Sequence, residues 1–245
     1  MRALVVMALA GCGRFSFEVA TEGRQLVDGA SDDASGDAAL RFCATHPALF
    51  CSDFEDAADA AQWFEFQQAN GTYQITTDFG VTTNTIATGT ASVYVGHDFG
   101  GTATHLRASA DIFVETAGTS DGVLLEIRII EPTEIHGWEY VYRNPPTNSY
   151  MEEFLDPLNA MPLMIQSYSI NGAPFPVGES HRVEIELDTQ ALRGIVRHDG
   201  VTVLDTALMF GTTNGAPLVA IGVIYLAGPA TPWQVRLDNV LADEL

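Results

Sequence analysis

The sequence predicts an all-β domain, an antiparallel two-sheet sandwich behind a disordered N-terminal tether. Three observations predict it. Short segments that alternate apolar and polar residues recur about every ten positions. Helical patterning is confined to the short run DAADAAQ at 56–62. No helical crossovers separate the strand-like segments, which excludes a parallel βαβ arrangement and leaves an antiparallel sandwich.

The elements follow in order. ASVYV at 91–95 alternates, and 103–115 alternates through Leu106, Ala108, Ala110, Ile112 and Val114. GVLLEIRII at 122–130 and WEYVYR at 138–143 read as further strands. HRVEIELD at 181–188 puts Val183, Ile185 and Leu187 on one face and Arg182, Glu184, Glu186 and Asp188 on the other. GIVRHDGVTVLD at 194–205 is two strands about Asp199-Gly200, a hairpin signal because both residues tolerate positive φ. LVAIGVIYL at 218–226 is nearly all apolar, as in a strand covered on both faces. WQVRLDNVLADEL closes the chain with another alternating strand. The stretch NPPTNSYMEEFLDPLNAMP, rich in Pro, reads as a long loop over one sheet. Trp63 and Trp233 sit among apolar strand residues and are expected in the core.

Composition bounds the function. The chain has 245 residues, 47% hydrophobic and 18% charged, enough for one sizeable core. It carries 32 acidic residues against 11 basic ones, all arginine, for a net charge of −21. Phosphate backbones repel such a chain, so nucleic-acid binding is excluded as an expectation. The acidity suits solubility, divalent cations or cationic partners.

MRALVVMALAGC at 1–12 pairs a basic Arg2 with a short apolar run and small residues before Cys12. Leu9-Ala10-Gly11-Cys12 resembles the lipobox of bacterial lipoproteins. That resemblance implies cleavage after Gly11, acylation of the Cys12 thiol and export to the outer membrane or cell surface, with Gly13 favouring the outer membrane. An ordinary signal peptide is the alternative. The run is too short to span a bilayer, which needs roughly 20 apolar residues. Residues 12–42 follow as an acidic linker; QLVDGASDDASGDAA at 25–39 cannot bury enough apolar surface to order itself. The folded domain is expected from 43 to 245. Cys43 and Cys51 remain as an even pair in an exported chain and read as one disulfide, the alternatives being buried thiols or a metal site.

HRVEIELDTQALRGIVRHDGVTVLD is similar to the hairpin of laminin G-like and concanavalin A-like domains, with Ser180 where those carry Trp. CSDFED at 51–56 and VRLDNV at 235–240 resemble the first and last strands of that class. Over roughly residues 50–245 the resemblance implies a two-sheet jelly roll with adjacent termini, often one that binds carbohydrate.

Three groups of residues are candidates for chemistry. In related sugar-binding jelly rolls, acidic residues near the first and last strands hold a structural Ca²⁺. Here those are Asp53, Glu55, Asp238 and Asn239, and helix capping by Asp53 with a solvated Asp238 is the alternative. Trp138, Tyr140 and Tyr142 share one strand face, either as a sugar-stacking platform served by Glu139, Arg143 or Asn144 or as core. Glu184, Glu186 and Asp188 share another face, but their order departs from the E-x-D-x-x-E of jelly-roll glucanases. A solvated strand face accounts for them. Without a nucleophile-elbow, zincin or P-loop motif, the chain is expected to be non-enzymatic. The expected function is glycan binding by a lipid-anchored envelope protein. A protein-interaction module is the alternative, and a polysaccharide hydrolase or lyase is third.

Overall fold

The computed structural model describes residues 41–245 except 56, 64, 78–79, 86–90, 144–148, 159–162, 171–174, 212–214 and 227–231. Cys12, the linker up to residue 40 and Asn144 lie outside the described residues. The chain begins with a hook: α1 (Phe42–Thr45), then β1 (Phe50–Ser52), then α2 (Ala57–Ala61). The strands that follow are β2 (Glu65–Ala69), β3 (Gly71–Thr76), β4 (Gly80–Thr85), β5 (Ala91–Asp98), β6 (His105–Thr116), β7 (Gly122–Ile130) and β8 (Glu134–Tyr142). The second half holds β9 (Tyr150–Pro157), β10 (Met164–Ser169), β11 (Ser180–Asp188), β12 (Arg193–His198), β13 (Val201–Ala207), β14 (Ala216–Leu226) and β15 (Gln234–Glu244).

All strand pairs are antiparallel, and they form two sheets. Sheet I runs β13-β12-β11-β6-β15-β4-β3, with β1 also on β15; sheet II runs β10-β9-β8-β7-β14-β5-β2. The predicted two-sheet antiparallel sandwich is what forms. The reason is visible in β11, whose Val183, Ile185 and Leu187 are fully buried while the alternating charged residues face out. Asp199 and Gly200 take φ of 48° and 78°, the left-handed pair that a tight hairpin between β12 and β13 requires. Trp63 and Trp233 are each 1% exposed and belong to the core between the sheets.

One element departs from expectation. The presumed loop over 144–162 contains β9, which pairs with β8 from Glu134↔Pro157 to Val141↔Tyr150. Its flanking prolines suit a bounded strand as well as a loop, and Met151 and Glu153 are fully buried. The disulfide joins Cys43 to Cys51 and staples α1 to β1. Phe42 then lies under the Arg182 guanidinium, 4.6 Å from the ring centre, on the outer side of sheet I.

Candidate functional site

Alternation decides which residues of β8 can meet a ligand. Trp138, Tyr140 and Tyr142 are all 0% exposed and belong to the core between the sheets. The platform expectation is therefore corrected: these rings pack inward. Tyr142 donates its hydroxyl to the Phe175 carbonyl at 2.8 Å and meets Trp233 edge-on. Burial pushes the Tyr142 hydroxyl up to about 12 and raises Tyr140 as well, so both stay neutral.

The opposite parity of the same strands builds a different surface, the outer face of sheet II. Glu126 on β7 faces Glu139 on β8, and Glu139 faces Glu152 on β9. Three glutamates thus stand in one row across three neighbouring strands. Directly opposed residues have Cβ atoms about 4.5–5.5 Å apart. Glu126 is buried and held by Arg128, whose Nε and Nη2 donate to its two oxygens at 2.8 and 2.7 Å. Burial, with the negative charges of Glu126 and Glu152, pushes the Glu139 carboxyl well above the usual carboxylate range against the pull of Arg128. Burial and Asp121 also raise Glu152, against a hydrogen bond from Ser167.

One strand end away, Arg143 forks onto Asp121. Its Nε donates to Oδ1 at 3.0 Å and its Nη2 to Oδ2 at 2.7 Å. The Tyr150 hydroxyl donates to the same Asp121 Oδ2 at 3.2 Å, and the Arg143 guanidinium lies 4.9 Å from the Tyr150 ring centre. Burial and the carboxylates of Asp121 and Glu152 push the Tyr150 hydroxyl up to about 12. The Arg143 and Asp121 side chains remain 42% and 33% exposed, so the group is open to solvent. Beneath it lies a small second core of Tyr94, Val123, Val141, Leu218, Ala220 and Ile224, with Tyr150 packed on it. Of Trp138, Tyr140, Tyr142 and Arg143, all expected to bind ligand, it is Arg143 that lies on this face; Asn144 lies outside the described residues. Glu139, also expected to meet hydroxyls, stands on the same face, since it sits between Trp138 and Tyr140 and must point the other way. Tyr150, Asp121, Glu126 and Glu152 were missed.

The expected cation residues meet at the far side of the molecule, on the outer face of sheet I. β15 pairs with β4 through Leu237 and with β1 from Val240, and its register shifts between Asp238 and Leu241. Asn239 takes φ of 50° in this bulge. Gly80 enters β4 with φ of 61°, where a Cβ would fall 2.2 Å from the Leu237 carbonyl oxygen. Asp238 is placed opposite Asp111, and burial together with Asp111, Glu55 and Asp53 pushes its carboxyl up to about 6, against a hydrogen bond from the Asn239 amide. Asp111 is already engaged, accepting from Arg182 Nη1 at 2.9 Å and Asn239 Nδ2 at 2.8 Å. Asp53 is buried and accepts from the Cys43 amide at 3.2 Å; its hydrogen bonds and the Arg41 charge outweigh burial and keep its carboxyl below the ordinary value. The donors suit Ca²⁺ in kind and in excess charge. Among the described residues, however, Asp53, Glu55 and Asp238 do not bring three oxygens within 4.8 Å of one another; only Glu131, Glu134 and His136 form so tight a trio.

The remaining carboxylates are paired on the surface of sheet I. Glu184 and Glu186 both accept from Arg197, and Glu186 also meets His105 at 3.3 Å. The solvated-face reading accounts for them.

No family model matches the chain, and no curated protein sequence matches it. Solved structures do. A family 16 glycoside hydrolase from Bacteroides ovatus, solved with a G4G4G3G product of mixed linkage glucan, aligns at TM-score 0.54 and 11% identity, over 79% of this chain and 99% of that one. A family 16 endo-glucanase from Bacteroides ovatus gives the same values. A sialidase aligns at TM-score 0.52 and 12% identity, over 80% of this chain but 19% of its own. At such identities the likeness is one of fold. The chain has the two-sheet antiparallel sandwich fold that these structures share.

Proposed function

We propose that this protein is a cell-envelope lipoprotein that binds a glycan on the outer face of sheet II. One observation carries the reading. Asp121, Arg143 and Tyr150 form an open, prearranged polar and aromatic group beside the glutamate row. A tyrosine face stacks on the apolar side of a sugar ring, and fixed carboxylates and a guanidinium accept and donate to its hydroxyls. The fold neighbours are consistent with such a ligand, since two of them are glycoside hydrolases. Cys12 carries the lipid; Ca²⁺ at the β15 bulge would need the oxygens of Asp238, Glu55 and Asp53, with Asn239, to stand closer together than they do.

A glycan array tests the reading. Arg143→Ala and Tyr150→Ala are expected to lower affinity about tenfold or more while the thermal midpoint stays near that of the parent. Binding that survives both substitutions, or no binding to any glycan, overturns it.

A second reading is glycoside cleavage, favoured by the opposed glutamates. Hydrolysis needs one carboxyl that keeps its proton and one that is ionised, about 5–5.5 Å apart for retention. Glu139 is the proton-holding partner, and Glu126, paired with Arg128, is the anion. New reducing ends released from a bound glycan, and abolished by Glu139→Gln, would establish this second reading.

A further inference from the structure

The turn between β7 and β8 reads Glu131-Pro132-Thr133-Glu134-Ile135-His136. The Glu131 amide donates to the Glu134 carbonyl at 2.9 Å, which closes the turn and sets the two glutamates on its two legs. His136 follows two residues along β8 and leaves the strand on the same side as Glu134. Its Nε2 lies 2.9 Å from Glu134 Oε1. One donor atom each from Glu131, Glu134 and His136 lies within 4.8 Å of the other two.

The three residues differ in burial. The glutamates are partly exposed, whereas His136 is 2% exposed and stacked against Trp138, with ring centres 6.2 Å apart and an interplanar angle of 23°. The stacking fixes the imidazole plane. Its Nδ1 is buried and makes no hydrogen bond. The nitrogen turned toward the carboxylates is Nε2, and a histidine placed here only to pair with Glu134 would have no need of a second carboxylate. Two carboxylates so close also repel one another, in a chain of net charge −21.

We propose that Glu131, Glu134 and His136 form a binding site for a divalent transition metal of the Zn²⁺ class. A dication balances the two carboxylates, and a neutral imidazole supplies the nitrogen. That nitrogen selects against Ca²⁺ and Mg²⁺, which take oxygen donors. Three protein ligands leave a fourth position open to water or to an oxygen of a bound molecule. The site is separate from the glutamate row, because His136 shares the inward side of β8 with Trp138 while Glu139 faces out. It is separate from the β15 bulge, which offers oxygens alone.

The test uses the full chain without a polyhistidine tag, stripped with EDTA and titrated with zinc chloride by calorimetry. One equivalent is expected to bind at neutral pH, with a thermal midpoint raised by a few degrees. The surface variant Glu131→Gln/Glu134→Gln is expected to keep its fold and lose at least tenfold in zinc affinity, and Asp238→Asn is expected to bind zinc as the parent does. Calcium chloride is not expected to compete. Failure of the parent to bind zinc, or equal zinc affinity in the glutamine variant, overturns the proposal. Loss on Asp238→Asn instead would assign the zinc to the bulge and refute this site.

Discussion

Asp238 holds its proton to about pH 6 because burial and the charges of Asp111, Glu55 and Asp53 disfavour its anion. The unfolded value is near 3.8, so the folded state binds the extra proton between those two limits. For this group, stability is fully present below the unfolded value and is lost as pH rises through about 6. In EDTA at neutral pH, Asp238→Asn is therefore expected to stabilise the domain by about 1–2 kcal/mol, discounted for partial exposure, and to give no gain at low pH. If Ca²⁺ binds at the bulge the sign reverses, since the carboxylate then becomes a ligand and its loss destabilises. Thermal scans in EDTA and in excess Ca²⁺ check both arms, and an identical parent midpoint in the two removes calcium from the account. At this scale the sequence reveals residue types but not their neighbours. Glu126, Glu139 and Glu152 are separated by 13 residues at each step, and only the register of β7, β8 and β9 makes them a row. Trp138 and Tyr140 were legible as one face, with core packing one of two readings, but alternation alone does not say which sheet face is the inner one. That depends on the second sheet closing over them.

Elements were more legible than residues. β7 was read with its true limits, because nine consecutive residues fit one strand between turn signals. The β12–β13 hairpin was legible for the same reason, with Asp199-Gly200 fixing the turn. β9 was hidden by the prolines that flank it, β2 by its glutamines, and β3 and β4 by polar, threonine-rich sequences with little apolar contrast. The hook is the element most dependent on covalent chemistry. Its helix has four residues and none is buried, too short to persist alone. Closing the Cys43–Cys51 loop contributes roughly 2.5 kcal/mol in the chain-entropy view. Cys43→Ser/Cys51→Ser is expected to lower the thermal midpoint by about 5–10 °C in a domain of this size. An unchanged midpoint would mean that the hook melts independently of the sandwich.

At the scale of the whole molecule, charge governs what the domain meets. A net charge of −21 repels acidic polysaccharides over about 8 Å at physiological ionic strength, which favours neutral or cationic glycans as ligands. Anchoring through Cys12 is expected to give labelling by a palmitate analogue in the native host, lost in Cys12→Ser; an unlabelled parent protein removes the lipid from the account. The disulfide also has a mechanical consequence. A pull arriving from the N-terminal side of Cys43 crosses the sulfur bridge to Cys51 and enters β1 in the middle of its three residues, where it pairs with β15. Residues 44–50 lie off the load path. Traction on the domain is therefore resisted by the sheet, and the second half of the small helix, Ala44 and Thr45, is spared it.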